Sequence, residues 1–233
     1  MLAQQSFVDA NKLYQNSNYT DAVTAYENLL KQGQESSELY FNLGNAYYKL
    51  NKVAPAIFNL EKALAICPND KEIQNNLAFA QKMTIDEVVE VPKVGFSKIV
   101  QDFTSIFHFE TWAWLTIFFS VLVLICFVGY YFSETTTIKR VFFSTMLTFL
   151  LLIIVSFFAG FYEKNNYEST KPAIVFAEIA NVKSEPNTNA SDVFVIHAGT
   201  KVFVLESLNN FKKIRLLDLK QGWIENNKIK ELR

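Results

Sequence analysis

The sequence predicts a multi-domain membrane protein: an all-α helical repeat array, a transmembrane helical hairpin, and a small all-β barrel. Three observations carry this. Two apolar runs, Trp112–Phe132 and Val141–Phe161, are each 21 residues long and free of Asp, Glu, Lys, Arg and His. Residues 3–36 and 37–70 repeat with a period of 34. From Pro172 onward, helical spacing gives way to short alternating strands separated by Asn, Ser, Pro and Gly.

The chain opens on Met1-Leu2-Ala3-Gln4, which lacks the charged and apolar regions of a whole signal peptide. It reads either as the tail of one, with a small residue before a cleavage point, or as a frayed helix start. The repeat domain is expected over 1–83. Its second copy is the clearer. In Tyr40-Phe-Asn-Leu43-Gly44-Asn-Ala-Tyr47, the residues Tyr40, Leu43 and Tyr47 fall on one helical face. Gly44 lets a neighbouring helix approach closely. Ala56, Leu60 and Ala63 form the partner face, and Pro68 stops the second helix. The first copy places Ala10, Leu13, Ala22, Tyr26 and Leu29 at matching positions. A third copy begins at Lys71 and fades after Met83.

This pattern resembles a pair of tetratricopeptide repeats. Such helix pairs stack because none buries its apolar face alone. By resemblance, the first helix of each pair lines a concave groove, here through Phe7, Asn11, Phe41, Asn45, Tyr48 and Asn75. Asn11 and Asn45 are one repeat apart, and their amides suit the backbone of an extended peptide. Phe7 and Phe41 read equally as ordinary packing between helices. One subclass clamps a C-terminal carboxylate with lysines and asparagines. Phe7 stands where its first lysine would, and Glu72 is acidic, so that clamp is not expected.

Residues 84–111 are expected to hold a linker and a juxtamembrane helix. Thr84–Lys93 is acidic and ends in Val-Pro-Lys. Phe96, Ile99, Val100, Phe103, Ile106 and Phe107 then recur at helical spacing, opposite Lys98, Gln101, Asp102 and Ser105. Such a helix either lies on lipid headgroups or packs on the last repeat helix. Each apolar run, helical at about 1.5 Å per residue, spans roughly 31 Å, which matches a hydrocarbon core. Trp112, Trp114, Tyr130, Tyr131 and Tyr162 crowd the ends, where amphipathic rings sit at headgroup level. Only the loop 133–140 separates the runs, so both soluble parts lie on one side of the membrane. Lys139 and Arg140 make that loop the densest in basic charge, which places it in the cytoplasm and both soluble parts outside it.

Strands are expected at Ala173–Phe176, Val193–His197, Lys201–Ser207, Phe211–Leu216 and Gly222–Ile224. Three stretches, Asn181-Val-Lys-Ser-Glu-Pro186, His197-Ala-Gly-Thr-Lys-Val-Phe-Val and Gln221-Gly-Trp-Ile224, together resemble a bacterial SH3-like domain over residues 172–233. Asn181, Pro186 and Gly199 then serve loop geometry. Phe211 and Trp223 read either as an exposed aromatic patch for peptides or as closure of the barrel core.

Repeats, two membrane helices and an SH3-like tail, with Phe109-Glu-Thr-Trp112-Ala-Trp114-Leu115 at the membrane entry, resemble the BatE-type proteins of bacterial aerotolerance operons. The resemblance implies a two-pass inner-membrane protein beside von Willebrand factor A-type membrane proteins and an AAA+ ATPase system. No part of the chain is basic enough for a phosphate backbone; its formal net charge is −1. Cys67 and Cys126 have no disulfide or metal-ligand spacing, and no phosphate loop or nucleophile–base arrangement exists, so neither cofactor nor catalysis is expected. The expected function is a non-enzymatic adaptor that docks protein partners in the groove. The alternative is a sensor of cell-wall peptides acting through the SH3-like domain.

Overall fold

The computed structural model describes residues 2–86 and 95–232, the side chains of residues 2–5 and 169 excepted. They form two compact units. One joins the N-terminal helices to the segment from Lys171 onward, and the other holds the residues up to Thr170 between them.

In the first unit, α1 (Leu2–Gln15), α2 (Tyr19–Lys31), α3 (Ser37–Lys49), α4 (Val53–Ile66) and α5 (Lys71–Gln81) are the repeat helices. Local chemistry sets their ends. Ser36 caps α3 by accepting the Leu39 N–H at 3.1 Å, and Asp70 caps α5 by accepting the N–H groups of Glu72 and Ile73. The turns leaving α1 and α3 repeat 34 residues apart. Ser17 and Asn51 adopt φ of 60° and 56°, and each following N–H reaches back to Leu13 or Tyr47. Ala10, Ala22, Tyr26, Leu29 and Leu43 close the first core. A Cβ on Gly44 would lie 2.7 Å from Leu60 Cγ and 3.2 Å from the Ala56 carbonyl oxygen, so α3 and α4 pack against bare backbone there.

The C-terminal part is an antiparallel sheet of seven strands in the order β3-β2-β6-β5-β4-β1-β7. These are β1 (Lys171–Val175), β2 (Ile179–Lys183), β3 (Asp192–His197), β4 (Lys201–Leu208), β5 (Phe211–Arg215), β6 (Gln221–Glu225) and β7 (Ile229–Glu231). Five strands were expected; β2 and β7 are additional. Asn181 lies within β2 opposite Val195, and its amide donates to Asp192, so it serves a strand and not a loop. Gly199 does serve a turn, with φ of 91°. Val175, Val182, Ile196, Val202, Ile214 and Ile224 fill the sheet's core.

Sequence reading divides 1–83 from 172–233, yet these segments share a core. β1 is buried on both faces: Ala173 and Val175 enter the sheet core, while Ile174 joins Ala54, Ile57, Leu60, Leu77 and Ala80 of the repeats. Leu232 enters the same cluster, and the Phe176 ring meets Phe58 edge-on at 5.7 Å. Glu61, 8% exposed on α4, holds Lys201 Nζ at 2.7 Å through both carboxylate oxygens. The segment after α5 is also tied down. The Asp86 carboxylate accepts the His197 N–H at 2.6 Å and the Thr200 hydroxyl at 2.5 Å, and it lies 2.7 Å from His197 Nδ1. The expected linker Thr84–Lys93 therefore starts as an anchored stretch; residues 87–94 lie outside those described.

The second unit holds α6 (Phe96–Thr104), α7 (Phe109–Phe132) and α8 (Thr136–Ser169). α7 and α8 are long and apolar enough to cross a membrane, and only 6% of each apolar window is buried in protein. Helix α8 starts at Thr136, so the turn is Ser133–Thr135 and shorter than the expected 133–140. It also continues past Phe161 to Ser169, because Lys164 and Glu168 suit a helix and pair across one turn at 3.7 Å. Between the helices, Thr116 Oγ1 donates to Ser156 Oγ at 3.0 Å. Trp112 Nε1 donates to the Thr104 carbonyl at 2.9 Å, with the rings of Phe103 and Phe107 against it, which ties α6 to the hairpin. Phe96 and Ile99 on α6 remain exposed.

Candidate functional site

The repeat helices α1, α3 and α5 present one concave face. Two hollows open on it, of about 380 and 390 Å³, and share Phe41, Asn42 and Glu72. They form one trough. Phe7 and Asn11 line its first half, and Asn45 and Tyr48 its second. Five of the six expected groove residues are thus brought together. Asn75 is the exception: it lines neither hollow, and Asn76 does so in its place.

The asparagines do more than face the trough. Asn11 Oδ1 accepts from Asn42 Nδ2 at 3.0 Å, and Asn45 Oδ1 accepts from Asn76 Nδ2 at 3.1 Å. Both bridges span 31 positions, so the same device recurs one repeat later. Asn11 Oδ1 also accepts the Tyr26 hydroxyl at 2.7 Å. Burial, with Tyr14 nearby, pushes the Tyr26 phenol up to about 12, which keeps it a donor at any ordinary pH. These bridges fix the carbonyl ends of Asn11 and Asn45, so the groove amides are held in place before any ligand arrives. Asn42 and Asn76 line the trough without having been expected to. Their signal was present in the 34-residue interval between them.

Residues 9–71 match the tetratricopeptide repeat family model. That match runs from the second half of α1 through α4 to the first residue of α5, and the helical region is tetratricopeptide-like. The repeat is in general a non-catalytic protein-interaction module. Among curated proteins, sperm-associated antigen 1 of Mus musculus is 32% identical over 74 residues, which is 32% of this chain. The chain spans 8% of that protein's length.

On the sheet, Phe211 is 7% exposed and offers no open ring. Trp223 is half-buried and stands in register between Lys213 on β5 and Lys183 on β2. The two aromatic residues do not form an exposed pair. No group of three His, Cys, Asp or Glu able to hold a metal occurs among the described residues.

Proposed function

We propose that the chain is a non-enzymatic, membrane-anchored adaptor that docks a protein segment in the repeat trough. The observation that carries this is the trough itself: repeat-related aromatic and amide side chains line one continuous depression and are held by recurring Asn–Asn bridges. Apolar burial on Phe7, Phe41 and Tyr48 supplies affinity, and the amides suit an extended backbone. The BatE-type resemblance extends this reading to a complex linked to aerotolerance, with von Willebrand factor A-type and AAA+ partners. The C-terminal sheet is read as its SH3-like domain.

The test is a cross-linking pull-down from membranes with the full chain. Phe41→Ala with Asn45→Ala is expected to abolish partner recovery and to leave the helical circular dichroism unchanged. Should recovery survive that change and vanish instead with Trp223→Ala, the sheet is the docking surface and the cell-wall sensor reading takes over.

We further propose that α7 and α8 cross a bacterial inner membrane with residues 2–86 and 171–232 both periplasmic. The shared core supports an even number of crossings, since segments on opposite faces cannot pack together. Lys139 and Arg140 support a cytoplasmic turn. In a Cys67→Ser background, a membrane-impermeant thiol reagent is expected to label Gln32→Cys and Thr188→Cys in intact spheroplasts and to spare Glu134→Cys. Labelling of Glu134→Cys alone would reverse the orientation.

A further inference from the structure

We infer that the occupant of the trough is an extended protein segment carrying two cationic side chains three residues apart. This rests on the trough being the docking site and adds the chemistry of what it takes. Glu38 and Glu72 sit 34 positions apart, at equivalent places in the first turns of α3 and α5. Both line the first hollow, both are exposed, and neither has an ion pair among the described residues. Asp70 beside them is occupied in capping α5, so its charge is shared with two N–H groups. Among the described residues that line the two hollows, Lys49 is the one cation, and it lines the second.

A second kind of side chain agrees. Phe7 and Phe41 line the same hollow as the two glutamates, again 34 positions apart. Aromatic faces attract cations and carboxylates pair with them, so one hollow offers both halves of a receptor for guanidinium or ammonium. A carboxylate ligand would meet repulsion from the same glutamates.

The spacing follows from the packing. Direct Asn–Asn bridges hold α1 to α3 and α3 to α5. Helices packed this closely lie about 8–10 Å apart. An extended chain advances roughly 3.3 Å per residue, so equivalent sites on adjacent repeats are matched by side chains about three residues apart.

The test uses the full chain in detergent micelles and two fluorescent probes. One is an acetylated, amidated glycine–serine peptide with two arginines three residues apart; the other has glutamates at those positions. The arginine probe is expected to bind more tightly. Glu38→Gln and Glu72→Gln should each weaken it roughly threefold, and together about tenfold, with the loss shrinking in high salt. Equal binding of the two probes, or binding that ignores both substitutions, overturns the proposal. The trough reading fails separately: it falls if Phe41→Ala with Asn45→Ala leaves partner recovery intact. It stands, with the cationic occupant discarded, if that pair abolishes recovery and the two glutamine substitutions do not touch it.

Discussion

Replacing Ile174 by aspartate is expected to destroy the cooperative unfolding of the unit built from the repeats and the sheet. Ile174 is 0% exposed and lies among apolar side chains from α4 and α5. A carboxylate there has no partner, and burying it unpaired costs more than about 4 kcal/mol, a large part of a typical domain's stability. Ile179 on β2 is 64% exposed, so Ile179→Asp is the matched control, with an expected cost within about 0.5 kcal/mol. Denaturant melts of the two variants, followed by circular dichroism in detergent, read the difference directly. If both variants melt alike, β1 does not bridge the two segments.

The second large effect lies at Asp86. Asp86→Ala removes the acceptor for the His197 N–H and the Thr200 hydroxyl and breaks the contact with the His197 ring. Hydrogen bonds to a charged group contribute more than neutral ones, and the expected cost is about 2–4 kcal/mol. The same site gives an acid limb to the stability curve. Burial alone pushes the Asp86 carboxyl upward. The hydrogen bonds from Thr200 and from the His197 ring and backbone, with attraction to His197, outweigh burial and hold it below its ordinary value. A carboxyl lowered in the folded state contributes fully above its unfolded pKa, near 4, and that contribution is lost as pH falls through the folded value. Wild type should therefore lose stability below about pH 4 more steeply than Asp86→Asn, in melts recorded across that range. Parallel curves for the two proteins would show that the carboxylate is not the acid-labile link.

What the sequence disclosed was local and periodic. The 34-residue interval marks Tyr40, Leu43, Gly44 and Leu60, and all four occupy the packed interior expected of them. The expected groove residues follow from the same interval: Phe7, Phe41 and Asn75 stand 34 apart, as do Asn11 and Asn45. Asn75 nonetheless lines neither hollow, whereas Asn76, one interval after Asn42, lines the second. The strands that escaped were the short ones: β7 has three residues, and β2 is a five-residue run with alternating burial. Helix α8 outruns its apolar stretch because hydropathy marks the lipid-compatible portion and says nothing of where helical hydrogen bonding stops. Nothing periodic marks Asp86. Its partners His197 and Thr200 lie 111 and 114 positions away, and no local pattern records a pairing over that distance. Phe211 and Trp223 looked alike as aromatic strand residues, and only the packing at the β5 end separates the buried ring from the half-open one.

The shared core also sets a timetable for synthesis. Asp86 and Lys171 are 85 positions apart, so the ribosome finishes the five repeat helices well before the first strand exists. At about 5–20 residues per second, that interval lasts roughly 4–17 s. Throughout it, Ile57, Phe58 and Leu60 lack the strand and tail residues that later cover them. The nascent repeats wait as a half-finished core with sticky apolar surface, and a chain cut before Pro172 remains in that condition permanently.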